Sequence, residues 1–419
     1  MHVLCAPRGA PLVAVLSANI VSKRPIMTDD ALQQTLHDHL AWWGLRHFTA
    51  DRDYFLWQRQ QLSVDELNQL HLHAERKHVG DRSDEVAFYD LAAQPKILPV
   101  LYSQRYEYYE AVATRAVPHL REAKTVLDFG CGVGILTSFY ARLFPETNFV
   151  GVDRSSASIA VAREKADQLG LHNLRFECVD VEVEPLSGSY DIVVTAHALV
   201  QAEQDPGLPS QSWRTFERGH NSSQQRSFEQ RTGLAARLDR LCQVLDPSGR
   251  MIVNEKTRQL ARRVPFQRAL ANRGLQLIEP PALIRYRTVE EVVDDGPCYV
   301  LCREGDATLS WDESPECDEG RPFNPDEVPT TDDSNVPLYE NHWPSAQAAW
   351  EQLKDRDIIG EMTRQAPDGR QVHAERGSSH ERHYLYCANT FDQRQLVIVE
   401  EARSAMLDAY YQEILRELP

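Results

Sequence analysis

Asp128, Gly130, Gly132, Gly134 and Asp153 are the residues whose types and spacing first suggest ligand chemistry. They lie in T-V-L-D-F-G-C-G-V-G-I-L-T (125–137) and F-V-G-V-D (149–153). Glycines at alternate positions let the backbone take left-handed torsions and let a ligand approach it closely. The dinucleotide fingerprint G-x-G-x-x-G would need a glycine at 135, where Ile135 stands. Asp128, two places before the first glycine, would repel a pyrophosphate and suits a ligand with an ammonium group. Asp153 follows about twenty residues on, where such folds bind ribose hydroxyls. His197, in T-A-H-A-L-V, comes just after a further apolar run, and a neutral imidazole there can accept a proton.

These residues need strand ends and helix starts to hold them. The pattern predicts strands near 125–129, 148–152, 174–178, 190–195, 249–254, 284–288 and 298–303. Helices are predicted near 135–144, 155–169, 232–245 and 258–273. Alternation of this kind is the doubly wound α/β signature, with ligands at the carboxyl ends of the strands.

Five stretches in order carry a resemblance: V-L-D-F-G-C-G-V-G (126–134), F-V-G-V-D (149–153), F-E-C-V-D-V (176–181), Y-D-I-V-V-T (190–195) and V-L-D-P-S-G-R (244–250). Over residues 100–304 the chain resembles the class I S-adenosylmethionine (SAM)-dependent methyltransferases. Ser248 departs from the family's usual L-x-P-G-G. The resemblance implies SAM as cofactor and a seven-stranded Rossmann-like sheet whose last strand is antiparallel. It also implies that Asp128 and the amides of Gly130, Gly132 and Gly134 hold the methionine part and that Asp153 takes the ribose hydroxyls, with Cys131 and Arg154 also among the cofactor-binding residues. Asp180 and Val181 would face the adenine, and Thr195 would border the site from the fourth strand. His197 would stand near the methyl as general base. In such proteins the helix before the glycine strand often covers the cofactor, which points to Tyr102, Arg105 and Tyr106 as substrate contacts. No N-P-P-Y or D-P-P-Y follows the fourth strand and no arginine-methyltransferase glutamate pair is evident; Glu255 reads as structural.

The rest of the 419 residues divides by composition. Residues 1–27 read as a disordered leader or a mis-assigned start, with Met27 as the natural first residue. Residues 28–121 read as a helical cap, with a start at Thr28 and a capping box at Ser63 and Glu66. The methyltransferase domain is expected over 122–304, with an insertion at 203–232. That insertion carries Trp213, Arg214 and Arg218 and reads as a surface loop or as a lid for an anionic or planar substrate. Residues 305–340 read as an acidic, proline-rich spacer. Residues 341–419 read as a small α+β module of unknown role, with a helix capped by Ser345 and a turn at Pro367–Gly369. His373, His380 and His383 have no metal-ligand spacing, so no metal is expected.

A net charge of −17 argues against general nucleic-acid binding. The eight scattered cysteines fit a reduced cytoplasmic compartment, and no apolar run reaches membrane-span length. The expected activity is methyl transfer from SAM to a small-molecule acceptor. The alternatives are a protein or peptide substrate docked by the C-terminal module, and a SAM-binding protein without turnover.

Overall fold

The computed structural model describes residues 28–79, 82–200, 205–303, 309–324, 336–366 and 369–417. The predicted leader and the start at Met27 lie outside the described residues, as do 203–204 of the insertion. So do 304–308 and 325–335 of the acidic stretch, and Pro367 and Asp368 of the predicted turn.

Six helices precede the sheet: α1 (Asp29–Trp42), α2 (Asp51–Gln61), α3 (Val64–Val79), α4 (Arg82–Ala92), α5 (Ile97–Ser103) and α6 (Tyr106–Leu120). Leu32, Leu36 and Leu40 recur every fourth residue and bury one face of α1. Thr28 caps that helix, its Oγ1 accepting the Ala31 N–H at 3.4 Å. The capping box forms: Ser63 N donates to Glu66 Oε2 at 2.7 Å, and Glu66 N donates to Ser63 Oγ at 3.3 Å.

The α/β unit follows as β1 (Thr125–Phe129), α7 (Ile135–Leu143), β2 (Asn148–Asp153), α8 (Ser156–Gln168), β3 (Leu174–Cys178) and β4 (Tyr190–Ala196). It continues with α9 (Ser222–Arg231), α10 (Leu234–Val244), β5 (Leu245–Asn254), α11 (Leu260–Ala271), β6 (Gln276–Leu277), β7 (Ala282–Arg287) and β8 (Val292–Cys302). The strand order is β3-β2-β1-β4-β5-β8-β6, with β7 also paired to β8. β1 to β5 run parallel, and β8 runs antiparallel to β5. The sheet thus has eight strands where seven were expected, because the short β6 forms ahead of β7 on the same partner. Side chains alternate: Val126, Ile192, Val194 and Ile252 face the α1, α6 and α7 layer. Leu127, Val193, Met251 and Val253 face α10 and α11.

The C-terminal module comprises β9 (Tyr339–Asn341), α12 (Ser345–Glu351), β10 (Arg356–Gln365), β11 (Gln371–Ser379), β12 (Arg382–Asn389), β13 (Arg394–Glu400) and α13 (Ser404–Glu417). Its antiparallel sheet has the order β10-β11-β12-β13-β9. α13 covers one face through Leu407 and Tyr411. The other face packs Tyr384, Tyr386 and Ile398 against Trp350 of α12 and against Trp213, which comes from the insertion after β4.

That contact departs from the lid expectation. The Trp213 ring stacks on His373 with centroids 3.5 Å apart and planes 4° apart. Ser210 N donates to Thr390 O at 2.7 Å, and the buried Arg218 pairs with Asp392. Arg214 is exposed over the outer side of Trp213. The physical reason is area: Trp213 finds more apolar surface on the aromatic face of the module than over a ligand cleft.

The acidic stretch also departs from a solvated spacer. Of its described parts, 336–340 leads into β9, and 309–324 is strapped to α11 and to Arg258 just before it. Glu313 pairs with Arg268 at 2.6 Å, and Glu316 pairs with both Arg258 and Arg263. Phe323 is buried against Tyr339. Asp318 Oδ2 accepts the Ser345 N–H at 2.6 Å, so Asp318, not the Ser345 hydroxyl, caps α12. No described helix is long and apolar enough to cross a membrane.

Candidate active site

The glycine turn between β1 and α7 is fixed from behind by β2. Gly130 N and Cys131 N donate to Val152 O at 2.8 and 3.1 Å. Gly130 has φ +75°, and a Cβ there would lie 2.2 Å from the Cβ of Ala198 in the loop after β4. Gly132 has φ +54°, and a Cβ there would meet nothing within 4 Å, so its open side faces a cavity. That cavity encloses about 190 Å³ at the carboxyl ends of β1, β2 and β4.

A buried carboxylate and a half-buried one serve the turn. Asp128 accepts the Thr137 hydroxyl at 2.6 Å, and burial pushes its carboxyl up to about 6. A cationic group beside it would restore the ionised form. Asp153 accepts Gly132 N on Oδ2 and Ser155 N on Oδ1, both at 2.9 Å. Burial raises its pKa, and those two backbone donors oppose the rise. Asp153 therefore braces the turn as well as bordering the cavity. Burial also pushes the Cys131 thiol up, which keeps it protonated.

Of the residues expected around the cofactor, Asp128, Gly130, Cys131, Gly132, Asp153, Arg154, Asp180 and Val181 line this cavity. Gly134 does not: a Cβ there would meet the Phe176 ring at 2.6 Å, so its role is close packing of α7 on β3. Thr195 does not either. It lies on the α10 side of β4, buried, and its Oγ1 has no hydrogen-bond partner among the described residues. Arg154 and Asp180 are engaged from α4: Glu85 pairs with Arg154, and Arg82 pairs with Asp180. Glu85 and Tyr89 of α4 join the cavity wall, a contribution that no local motif announces.

Tyr102, Arg105, Tyr108, Tyr109 and His197 also line the cavity. Tyr106 faces away and packs against His37 and His47, at 5.9 and 5.2 Å between ring centroids. Tyr102 and Tyr106 are four residues apart, a spacing that would share one face of a continuous helix, but the break between α5 and α6 at Arg105 turns them to different sides. Trp213, Arg214 and Arg218 stand apart from this cavity, at the contact with the C-terminal module.

His197 is held on every side. Its φ of +55° is a left-handed torsion that costs a non-glycine residue about 1–2 kcal/mol. Its N–H donates to Asn254 O at 2.9 Å. Arg105 Nη2 lies 2.8 Å from Nδ1, and Asp295 Oδ2 lies 2.8 Å from Nε2. Arginine can only donate, so Nδ1 accepts, and the ring proton sits on Nε2 beside Asp295. That N–H is not squarely aimed at the carboxylate, so the contact is close but unaligned. Burial lowers the His197 pKa, Asp295 works against this, and Arg105 adds to it. Burial raises Asp295, but His197, Tyr286 and Arg105 outweigh it and hold the carboxyl below its ordinary value. The pair is thus neutral imidazole with ionised carboxylate. Asp295 escapes sequence reading because it reaches His197 from β8, nearly a hundred residues away, through tertiary pairing alone, and Tyr286 of β7 joins the group through Arg105. Glu255 is structural: its Oε2 accepts Leu199 N at 2.8 Å and Val200 N at 3.2 Å, fixing the loop that carries His197.

A parallel β3-β2-β1-β4-β5 core, an antiparallel closing strand and an Asp-headed G-x-G-x-G turn define a class I SAM-dependent methyltransferase fold. Residues 120–274 match the family described as "Methyltransferase domain", and this segment is such a domain, with SAM as its cofactor. The trans-aconitate 2-methyltransferase of Deinococcus radiodurans is 37% identical over 94 residues, 22% of this chain and 34% of that protein. The malonyl-[acyl-carrier protein] O-methyltransferase of Bacillus cereus is 33% identical over 70 residues, 17% of this chain and 25% of that protein. The matched stretches thus span a third or less of these relatives' own lengths. Among solved structures, magnesium protoporphyrin IX methyltransferase from Synechocystis with bound SAM aligns with a TM-score of 0.31 and 16% identity. That alignment covers 59% of this chain and 95% of the other.

Proposed function

We propose that the protein is a cytoplasmic enzyme that transfers a methyl group from SAM to an oxygen of a small acidic molecule. One observation carries this reading: a single cavity is lined both by the Asp128–Gly132 turn and by Arg105, Tyr102, Tyr109 and His197. The residues fit SAM. Asp128 offers a buried carboxylate to an ammonium, Gly132 leaves an open cradle, and Asp153 stands where ribose hydroxyls bind. When bound, SAM supplies a methyl on sulfur that is already activated for in-line displacement.

The chain's own work is alignment and proton handling. The tyrosines exclude water from the cavity. Arg105 is a fixed cation for an acidic acceptor, as the two named relatives also act on acids. His197, neutral at physiological pH, is the base available to a hydroxyl acceptor. A protein acceptor docked on the C-terminal module is the weaker reading, because Trp213 and Trp350 already cover that module's aromatic face. Tritiated-methyl SAM incubated with native extract and then fractionated by size tests the proposal. Label in the small-molecule fraction, extractable as an acid-derived product, is expected. Label only in protein overturns it.

A further inference from the structure

The contacts around His197 say more than that a base is present. Both of its ring nitrogens are taken by the protein. The Nδ1 lone pair, the only basic position on the neutral ring, is covered by Arg105 at 2.8 Å. The same Arg105 nitrogen also reaches the Tyr286 hydroxyl at 3.2 Å. Arg105 sits at the break between α5 and α6, with φ −115° and ψ 35°, outside either helix. Its guanidinium also lies over the Tyr108 ring, 4.4 Å from the centroid. Arg105 lines the cavity and has no carboxylate within ion-pair distance among the described residues. Asp295 instead holds the far side of His197.

We propose that Arg105 masks the base of this enzyme and Asp295 sets its tautomer: a carboxylate on the acceptor draws the guanidinium off Nδ1, and the lone pair becomes free only then. This rests on the methyltransferase reading above and adds the control of its base. The acceptor it requires carries a carboxylate beside a hydroxyl. As the hydroxyl oxygen bonds to the methyl carbon, its proton passes to Nδ1 and the C–S electron pair stays on sulfur. The resulting imidazolium lies against the Asp295 carboxylate, then returns its proton to solvent. Without an acidic acceptor the base stays covered, which limits loss of the methyl to water.

The groups facing His197 are Arg105 from the α5–α6 break, Tyr108 from α6, Asp295 from β8 and Glu255 after β5, with Tyr286 of β7 behind them on Arg105 and Asp295. Arg105 and Asp295 push its titration in opposite directions, so two variants separate them. The experiment is nitrogen NMR of ring-labelled histidine in the full chain, with His197→Gln identifying the resonance. Wild type should show a neutral ring with Nε2 protonated and Nδ1 hydrogen-bonded. Arg105→Gln should raise the His197 pKa by about one unit, and Asp295→Asn should lower it by a similar amount. Sodium malonate, added to wild type with S-adenosylhomocysteine, should move Nδ1 toward the value of a free lone pair. A ring protonated on Nδ1, unchanged titration in both variants, or no response to malonate overturns the inference. The malonate arm needs no variant to fold. Calorimetry with S-adenosylhomocysteine on the same samples separates the two levels. Binding with a silent ring removes the mask alone, whereas no binding removes the methyltransferase reading beneath it.

Discussion

The turn after β1 and the insertion after β4 leave the same edge of the same sheet, yet one opens on the candidate site and the other turns Trp213 and Arg218 to the C-terminal module. The turn is short and glycine-rich, and Gly132 keeps an uncovered backbone face. The insertion is long and aromatic, and Trp213 is buried on His373 while Arg218 is buried on Asp392. Position at the carboxyl end of a parallel sheet is therefore not enough to make a ligand contact. What decides is whether another part of the chain offers a better surface.

The largest test of this contrast is Asp153→Ala. Hydrogen bonds to a charged group contribute about 1.5–3 kcal/mol each, so loss of two ribose contacts should weaken SAM binding by about 3–6 kcal/mol. Calorimetry showing unchanged affinity would remove Asp153 from the site. Trp213→Ala should act oppositely. It should cost about 3–5 kcal/mol of stability in urea unfolding and leave SAM affinity unchanged, and a large loss of affinity would restore the lid.

Asp128 gives a pH signature. Its carboxyl titrates near 6 in the free protein, and a ligand ammonium selects the ionised form. Below that pH, binding must expel a proton, so SAM affinity should fall by up to about tenfold per pH unit. Stability of the free protein should move the other way. The folded pKa is raised, so the energetic cost of the buried charge is relieved as pH falls from about 6 toward the ordinary carboxylate range. Asp128→Asn should flatten both profiles. The smallest effect is Arg214→Ala, which removes an exposed cation from the Trp213 face. It should cost about 0.5–1 kcal/mol of stability and leave turnover unaltered.

The parts of this arrangement written locally were legible. Glycine spacing, the capping box at Ser63 and the strand–helix alternation from 125 to 271 all depend on neighbours within a few residues. The parts that needed distant partners were not. Asp318 capping α12 across the strap, Asp295 beside His197 and Arg82 on Asp180 each join segments that no short-range pattern links. The acidic, proline-rich composition of that stretch misled because its carboxylates read as solvated until the arginines in and just before α11 were placed against them. Tyr106 was misassigned for a related reason: the chain breaks at Arg105, so helical phase does not carry through.

Those arginines set a limit on how this protein can be divided. Arg263 and Arg268 stand inside the stretch that defines the methyltransferase domain, yet their carboxylates, Glu316 and Glu313, lie some forty residues beyond its end. A recombination that kept the core and discarded residues 309–324 would take these carboxylates away from both guanidinium groups. A hybrid joining this core to a foreign tail keeps these ion pairs only if it carries both glutamates across.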